Sequence, residues 1–74
     1  TIEQIQNLGK RIKKLRKEKG YTNYEIFSFD NNIPRAQYGR YEKGEDLRFS
    51  SLLKVLKALD MSLKDFFKEG FSEK

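Results

Sequence analysis

The stretch that decides the fold is NIPRAQYGRYEKGE, residues 32–45. Pro34 suits the beginning of a helix, because the first amide of a helix has no intrahelical acceptor to lose. Gly44 is typical of a helix end, so we predict a helix over about 34–43. At 3.6 residues per turn this helix has two different faces. One face carries Arg35, Ala36, Gly39 and Arg40, and the opposite face carries Tyr38 and Tyr41.

Length and composition limit what the chain can do. Its 74 residues predict one domain, 1–74, with a core of about 5–69 and a frayed tail at 70–74. The sequence has no cysteine and no histidine, which excludes disulfides, the usual zinc ligand sets and Ser-His or Cys-His nucleophiles. We therefore expect no enzyme activity, no metal, no cofactor and no small-molecule substrate.

Charge is distributed unevenly along the chain. Of the formal net charge of +5, the whole excess lies in residues 1–44, which hold 10 Lys/Arg against 5 Asp/Glu. A localised basic excess is typical of proteins that bind a phosphate-bearing partner. No apolar run is long enough to span a membrane. The lysines of the first helix could also form an ordinary solvated face that attracts DNA in general.

Hydrophobic spacing predicts an all-α protein of five short helices. The first helix has an apolar stripe from Ile5 to Leu15 and ends at Gly20. The second starts after either a capping box at Thr22 or an Asn23 cap. Asn32 tolerates the left-handed conformation that a tight turn needs. The fourth helix lies in FSSLLKVLKALD with Asp60 left-handed at its end, and Ser62 caps the fifth, which carries Leu63, Phe66 and Phe67.

The third helix has the side chains of a recognition helix. Two short helices joined by an Asn turn suggest a helix-turn-helix, whose second helix enters the DNA major groove. Arg35 and Arg40 can each present two donors to guanine, and Gln37 can contact adenine or phosphate. Ala36 fits a thymine methyl group, and Gly39 would allow closer approach to the duplex. The tyrosines could instead be stacking platforms for single strands, but their inward phase favours the core.

Three segments carry a family resemblance: GKRIKKLRKEKG (9–20), IPRAQYGRYEKG (33–44) and LLKVLKALDMSLKDFF (52–67). Over roughly residues 8–68 the chain resembles the Cro/cI-type (XRE) helix-turn-helix family. The resemblance implies a compact five-helix, lambda-repressor-like domain, with helices 2 and 3 forming the helix-turn-helix. Asn32 replaces the usual turn glycine, and Pro34 replaces an N-cap serine worth about 1 kcal/mol.

The resemblance also implies roles for individual residues. Pro34, Arg35, Ala36 and Arg40 match base-facing positions, to which our prediction adds Gln37 and Gly39. Phosphate contacts are expected from Asn23, Tyr24, Lys43 and Arg11. Arg16 and Glu42 are expected to form a partly buried ion pair that ties helix 1 to the end of helix 3.

These observations predict a sequence-specific regulator of double-stranded DNA, a repressor of the bacterial cytoplasm or nucleoid. It would bind a palindromic operator as a homodimer, because one subunit makes too few base contacts to select a site. The aromatic surplus near the carboxyl end makes Phe67 and Phe71 the candidate dimer contacts. An alternative is a protein-interaction module of the same fold, such as an antitoxin-like partner.

Overall fold

The computed structural model describes residues 1–71, and within that range it contains five α-helices and no strand. The helices are α1 (Ile2–Glu18), α2 (Tyr24–Asp30), α3 (Arg35–Glu42), α4 (Phe49–Leu59) and α5 (Leu63–Phe66). The prediction of an all-α, five-helix fold is confirmed. Residues 72–74, part of the tail predicted to fray, lie outside the described residues.

The helix ends follow local capping chemistry. α1 begins ahead of its apolar stripe, because Thr1 and Gln4 form a capping box in which the Thr1 hydroxyl accepts the Gln4 N–H at 3.3 Å. Asn23, rather than Thr22, caps α2, and its Oδ1 accepts the Glu25 N–H at 2.7 Å. An Asn side chain competes well for this position because it is short and reaches the second helical amide directly.

Three predicted turn features are present. Asn32 and Asp60 both have φ of +57°, the left-handed conformation expected of them. Ser62 caps α5 by accepting the Asp65 N–H at 3.1 Å. α3 is shorter than predicted, because Pro34 is its N-cap (φ −55°, ψ 128°) and Lys43 is its C-cap.

The core lies where all five helices meet. Its aromatic centre is Phe27, Tyr38 and Phe66, each fully buried. The remaining buried apolar side chains are Ile12, Leu15, Ile33, Tyr41, Leu52, Val55, Leu56 and Leu59. Burial of Tyr38 and Tyr41 confirms that the tyrosine face of α3 belongs to the core.

α1 lies directly against the last turn of α3. A Cβ atom built on Gly9 would lie 2.6 Å from the Tyr41 carbonyl oxygen, 2.9 Å from the Glu42 carbonyl oxygen and 3.0 Å from the Gly44 nitrogen. All three neighbours are backbone atoms, which cannot move aside like a flexible side chain. Gly9 is therefore the residue that lets the two helices approach so closely, and α1 sets the position of the C-terminal end of α3.

An ion pair holds the same turn of α3 from a second direction. Arg16 donates from Nε to Glu42 Oε2 at 3.0 Å and from Nη2 to Glu42 Oε1 at 2.8 Å, so the predicted pair is present and is bidentate. Arg16 Nη1 also donates to the Tyr21 carbonyl at 2.8 Å. The arginine is 3% and the glutamate 8% exposed, so one guanidinium joins α1, α3 and the loop before α2 in a nearly dry site.

Tyr38 lies beside this ion pair. Within residues 1–71 its hydroxyl makes no hydrogen bond of ordinary geometry although it is buried. Burial raises the pKa of Tyr38 far above its usual range, and the Glu42 carboxylate raises that pKa further. The pKa of Arg16 is also raised, mainly by its hydrogen bond to Glu42, so the guanidinium stays charged. The tyrosine is thereby held neutral in the centre of the core.

The close approach at Gly9 predicts an unusual response to a single methyl group. Gly9→Ala should lower the free energy of unfolding by about 2 kcal/mol, because clashes with backbone atoms outweigh the gain in helix propensity of about 1 kcal/mol. Urea denaturation followed by circular dichroism measures the change. Gly39→Ala is the comparison variant, because its Cβ would lie 3.1–3.4 Å from side-chain atoms of Tyr24 rather than under 3.0 Å from backbone atoms, so it should cost less stability. Equal stability of the two variants would contradict the assignment.

The buried ion pair predicts a contrast with an exposed one. Glu42→Gln should destabilise the protein by about 3 kcal/mol, because it leaves the Arg16 charge buried without a counter-charge. Glu45→Gln, which disrupts a pair whose side chains are 56% and 59% exposed, should cost under about 1 kcal/mol. The measurement is again chemical denaturation. A Glu42 variant as stable as the Glu45 variant would show that the pair does not hold α3.

Candidate nucleic-acid interface

The outer face of α3 is free of contacts with the core. Arg35 is 68% and Arg40 56% exposed, and Pro34 and Ala36 are exposed as well. On the opposite side of the same two-turn helix, Tyr38 is 0% and Tyr41 6% exposed. The structure therefore brings four of the six predicted base-contacting residues to one solvent-facing surface.

The other two predicted base contacts lie elsewhere. Gly39 is buried, and a Cβ there would lie 3.1–3.4 Å from ring atoms of Tyr24. Its small size therefore lets α2 pack on α3, and the prediction that Gly39 faces the duplex is wrong. Gln37 is half-buried and lines a groove with Tyr41 and the start of α4. It lies at the edge of the outer face.

Two of the four predicted phosphate contacts are exposed. Lys43 is exposed at the C-cap, and Asn23 is exposed at the start of α2, with its side chain engaged in capping. Tyr24 is half-buried, with its ring 6.2 Å from that of Tyr38. In the loop before α2, the Tyr21 hydroxyl donates a hydrogen bond at 3.0 Å to Asp30, the last residue of α2. This bond raises the pKa of Tyr21.

Arg11 is not available for the phosphate contact that was predicted. Its side chain is 8% exposed, Nε donates to the Phe66 carbonyl at 2.9 Å, and Nη2 donates to the Asp65 carbonyl at 3.1 Å. Glu69 lies 3.5 Å from Nη1. Arg11 thus binds carbonyl groups at the end of α5, a structural role that position in a basic run does not reveal.

The lysines of α1 remain at the surface. Lys10, Lys13, Lys14 and Lys17 are all exposed and recur at three- and four-residue spacing, so they share one side of the helix. Lys14 approaches Glu69 at 4.0 Å. This stripe supplies much of the positive potential that the charge count predicts.

Three charged residues at the interface were not predicted. Glu25 accepts from Arg35 Nη1 at 3.2 Å, and Glu45 lies 3.6 Å from Arg40 Nε. Arg48 lines the same groove as Gln37 and Arg40. The nearness of these three residues to α3 depends on the turn geometry rather than on any sequence pattern.

Three phenylalanines, from α5 and the residues that follow it, form an aromatic cluster. Phe66, Phe67 and Phe71 lie with ring centroids 4.8–6.0 Å apart. Phe66 is fully buried, Phe67 is 43% exposed and Phe71 is half-buried. The two candidate dimer contacts therefore lie side by side at the surface.

The described residues offer little for other kinds of site. Residues 1–71 contain no group of three or more acidic side chains placed to hold a metal ion. No helix in that range is both long and apolar enough to cross a membrane. What the outer face does present is two guanidinium groups, a small methyl group and flanking cations on a rigid helix.

A helix-turn-helix family model matches residues 12–66, which is well over half of the chain. The matched span includes α2, the Asn32 turn, α3 and both partners of the Arg16–Glu42 pair. Comparison with curated proteins and with solved structures found no significant match. On this match and on the five-helix architecture around α2 and α3, the chain belongs to the Cro/cI-type (XRE) helix-turn-helix family of DNA-binding regulators.

Proposed function

We propose that this protein is a sequence-specific transcriptional repressor that places α3 in the major groove of double-stranded DNA. Arg35 and Arg40 contact guanine edges, Ala36 contacts a thymine methyl group, and Pro34 lies against the bases at the start of the helix. Gln37 and Lys43 contact the backbone beside them. The protein acts on the chromosome in the bacterial cytoplasm or nucleoid, and it catalyses no reaction.

The observation that carries this proposal is the division of α3 into a fixed side and a free side. The fixed side is buried through Tyr38 and Tyr41 and is held at its end by Gly9 and Arg16. The free side presents two arginines from a helix that cannot rotate. Base recognition requires donors held at defined positions, and a rigid helix supplies them.

The proposed assembly is a homodimer on a palindromic operator. Half-sites one helical turn apart are separated by about 34 Å. The domain measures 37 × 22 × 21 Å, so two copies in contact can place their α3 helices at that separation. The exposed pair Phe67 and Phe71 is the proposed contact between copies. Blocking promoter access by such a dimer is the simplest means of regulation for a domain of this size.

A protein-interaction module remains the alternative, and one observation favours it. Ile26 is 54% and Phe29 82% exposed on α2, an arrangement that a monomer does not need. The neighbouring aromatic residues Tyr21, Tyr24 and Phe27, by contrast, pack with one another or with Tyr38. Salt-insensitive, negligible DNA binding together with a tight protein partner would favour the alternative.

The recognition-helix assignment predicts different effects for two cations of α3. Binding sites are first selected from random duplexes at two salt concentrations, and a palindromic motif that contains guanine is expected. Arg35→Ala should then weaken binding to the selected site by about 1–3 kcal/mol and relax the preference at one base pair. Fluorescence anisotropy titration against single-base variants of the site measures both effects.

Lys43→Ala is the matched control, because it removes a cation at the other end of the same helix. It should weaken binding to all duplexes similarly and lower the salt slope by about 1. If Arg35→Ala leaves the affinity for every sequence unchanged, the assignment of α3 as the recognition helix is wrong.

The dimer proposal predicts that a substitution at the contact between copies lowers DNA affinity only when the second half-site is present. Phe67→Glu should leave the fold intact, because the neighbouring Phe66 provides the burial at this position. It should lower affinity for the full palindrome by about 10-fold or more while leaving affinity for an isolated half-site unchanged. Analytical ultracentrifugation on the operator checks the stoichiometry. An unchanged ratio of the two affinities would place the dimer contact elsewhere.

A further inference from the structure

Both arginines on the outer face of α3 are paired with a carboxylate from a neighbouring segment. Arg35 Nη1 donates to Glu25 Oε2 at 3.2 Å, and Arg40 Nε lies 3.6 Å from Glu45 Oε1. The four side chains are 46–68% exposed. Such exposed pairs contribute little to stability, so stability alone does not explain why each proposed base-contacting arginine has one.

The backbone holds both glutamates in place. Glu25 lies in the first turn of α2, where its N–H donates to Asn23 Oδ1 at 2.7 Å and its carbonyl accepts from the buried Ser28 hydroxyl at 2.9 Å. The carboxylate therefore leaves α2 from a capped helix end rather than from a loose loop. From there it reaches Arg35 across the turn between the two helices.

Glu45 is placed by the turn that ends α3. The Gly44 N–H donates to the Tyr41 carbonyl at 3.2 Å, and the Glu45 N–H donates to the Arg40 carbonyl at 3.1 Å. This is the Schellman arrangement, and Gly44 provides its positive φ of +95°. The turn returns residue 45 to the level of residue 40, so the same hydrogen bonds that end the helix bring the carboxylate to Arg40.

A carboxylate beside a DNA-facing arginine changes what that arginine binds well. An unpaired guanidinium binds any phosphate, which strengthens binding to all duplexes alike. When a glutamate pairs with the arginine, it neutralises the charge of the guanidinium, and its carboxylate repels a nearby phosphate. A guanine edge is uncharged and presents two acceptors, so it can hold the guanidinium without that repulsion. The pairing therefore penalises phosphate contacts more than guanine contacts.

We propose that Glu25 and Glu45 are specificity-determining residues. They suppress non-specific phosphate binding by Arg35 and Arg40 and orient both guanidinium groups toward base edges. This inference rests on the proposed function, because it requires α3 to face the major groove. It adds that acidic residues at the interface help to select the operator.

The test compares three single charge removals in the full chain: Glu25→Gln, Glu45→Gln and Glu18→Gln. Glu18 is exposed near the end of α1, outside both arginine pairs, and its substitution controls for the change in net charge. Circular dichroism confirms that each variant is folded. Affinity is measured for the selected operator and for an unrelated duplex of equal length and base composition, at two salt concentrations.

Glu25→Gln and Glu45→Gln should each raise affinity for the unrelated duplex by about 3- to 10-fold, with a steeper salt dependence, and should raise affinity for the operator less. The ratio of the two affinities should therefore fall by about 3-fold or more, and Glu18→Gln should leave that ratio unchanged.

Two results would overturn the inference. If Arg35→Ala lowers operator affinity as proposed but Glu25→Gln and Glu45→Gln behave like Glu18→Gln, the glutamates have no role in specificity although α3 reads the operator. If selection yields no preferred sequence and Arg35→Ala has no effect, the proposed function fails and this inference fails with it.

Discussion

The contact of α1 with the last turn of α3 is the constraint on which the rest of the structure depends. Gly9 brings the helices close enough for a methyl group to clash with backbone, and Arg16 grips the Glu42 side chain of the same turn. The Gly9 contact resists sliding of α3 along α1, and the Arg16–Glu42 pair resists rotation of α3. The N-terminal end of α3, by comparison, begins after Pro34 and has no side-chain cap. The helix is therefore held by its buried tyrosine face and by its C-terminal turn. The outer face of α3 therefore takes no part in the packing of the core.

Arginine has two distinct uses in this small domain. Arg11 and Arg16 are buried, and they donate hydrogen bonds to carbonyl and carboxylate groups of other segments. Arg35 and Arg40 are exposed, and within residues 1–71 they pair with carboxylates at the surface. The planar guanidinium with five donors suits both uses, and a lysine could replace arginine in neither. The net charge alone therefore overestimates the number of positively charged side chains that are free to contact DNA.

Much of the fold could be predicted from short-range patterns, because those patterns act through local chemistry. Apolar spacing located the helices, and Asn32, Asp60 and Ser62 behave as their side chains dictate. The predictions that proved wrong depended on packing between segments distant in sequence. Arg11 looks like its basic neighbours until α5 is in place, and Gly39 lies at a helical phase where only the Tyr24 ring decides whether it is covered. The glutamates beside the outer-face arginines depend on turn geometry in the same way. The exposed face of α3 was therefore predicted from helical phase, and the neighbouring side chains that border it were not.

The neutral tyrosine beside the buried ion pair has a consequence for acidity. The sequence contains no histidine, and within residues 1–71 the side chains with displaced pKa values, Arg16, Tyr21 and Tyr38, are all displaced upward from reference values near 10 or above. A raised pKa stabilises the folded state below the unfolded-state pKa and is lost as a source of stability only in alkaline solution. The contribution of these three groups to folding stability therefore stays constant across neutral pH.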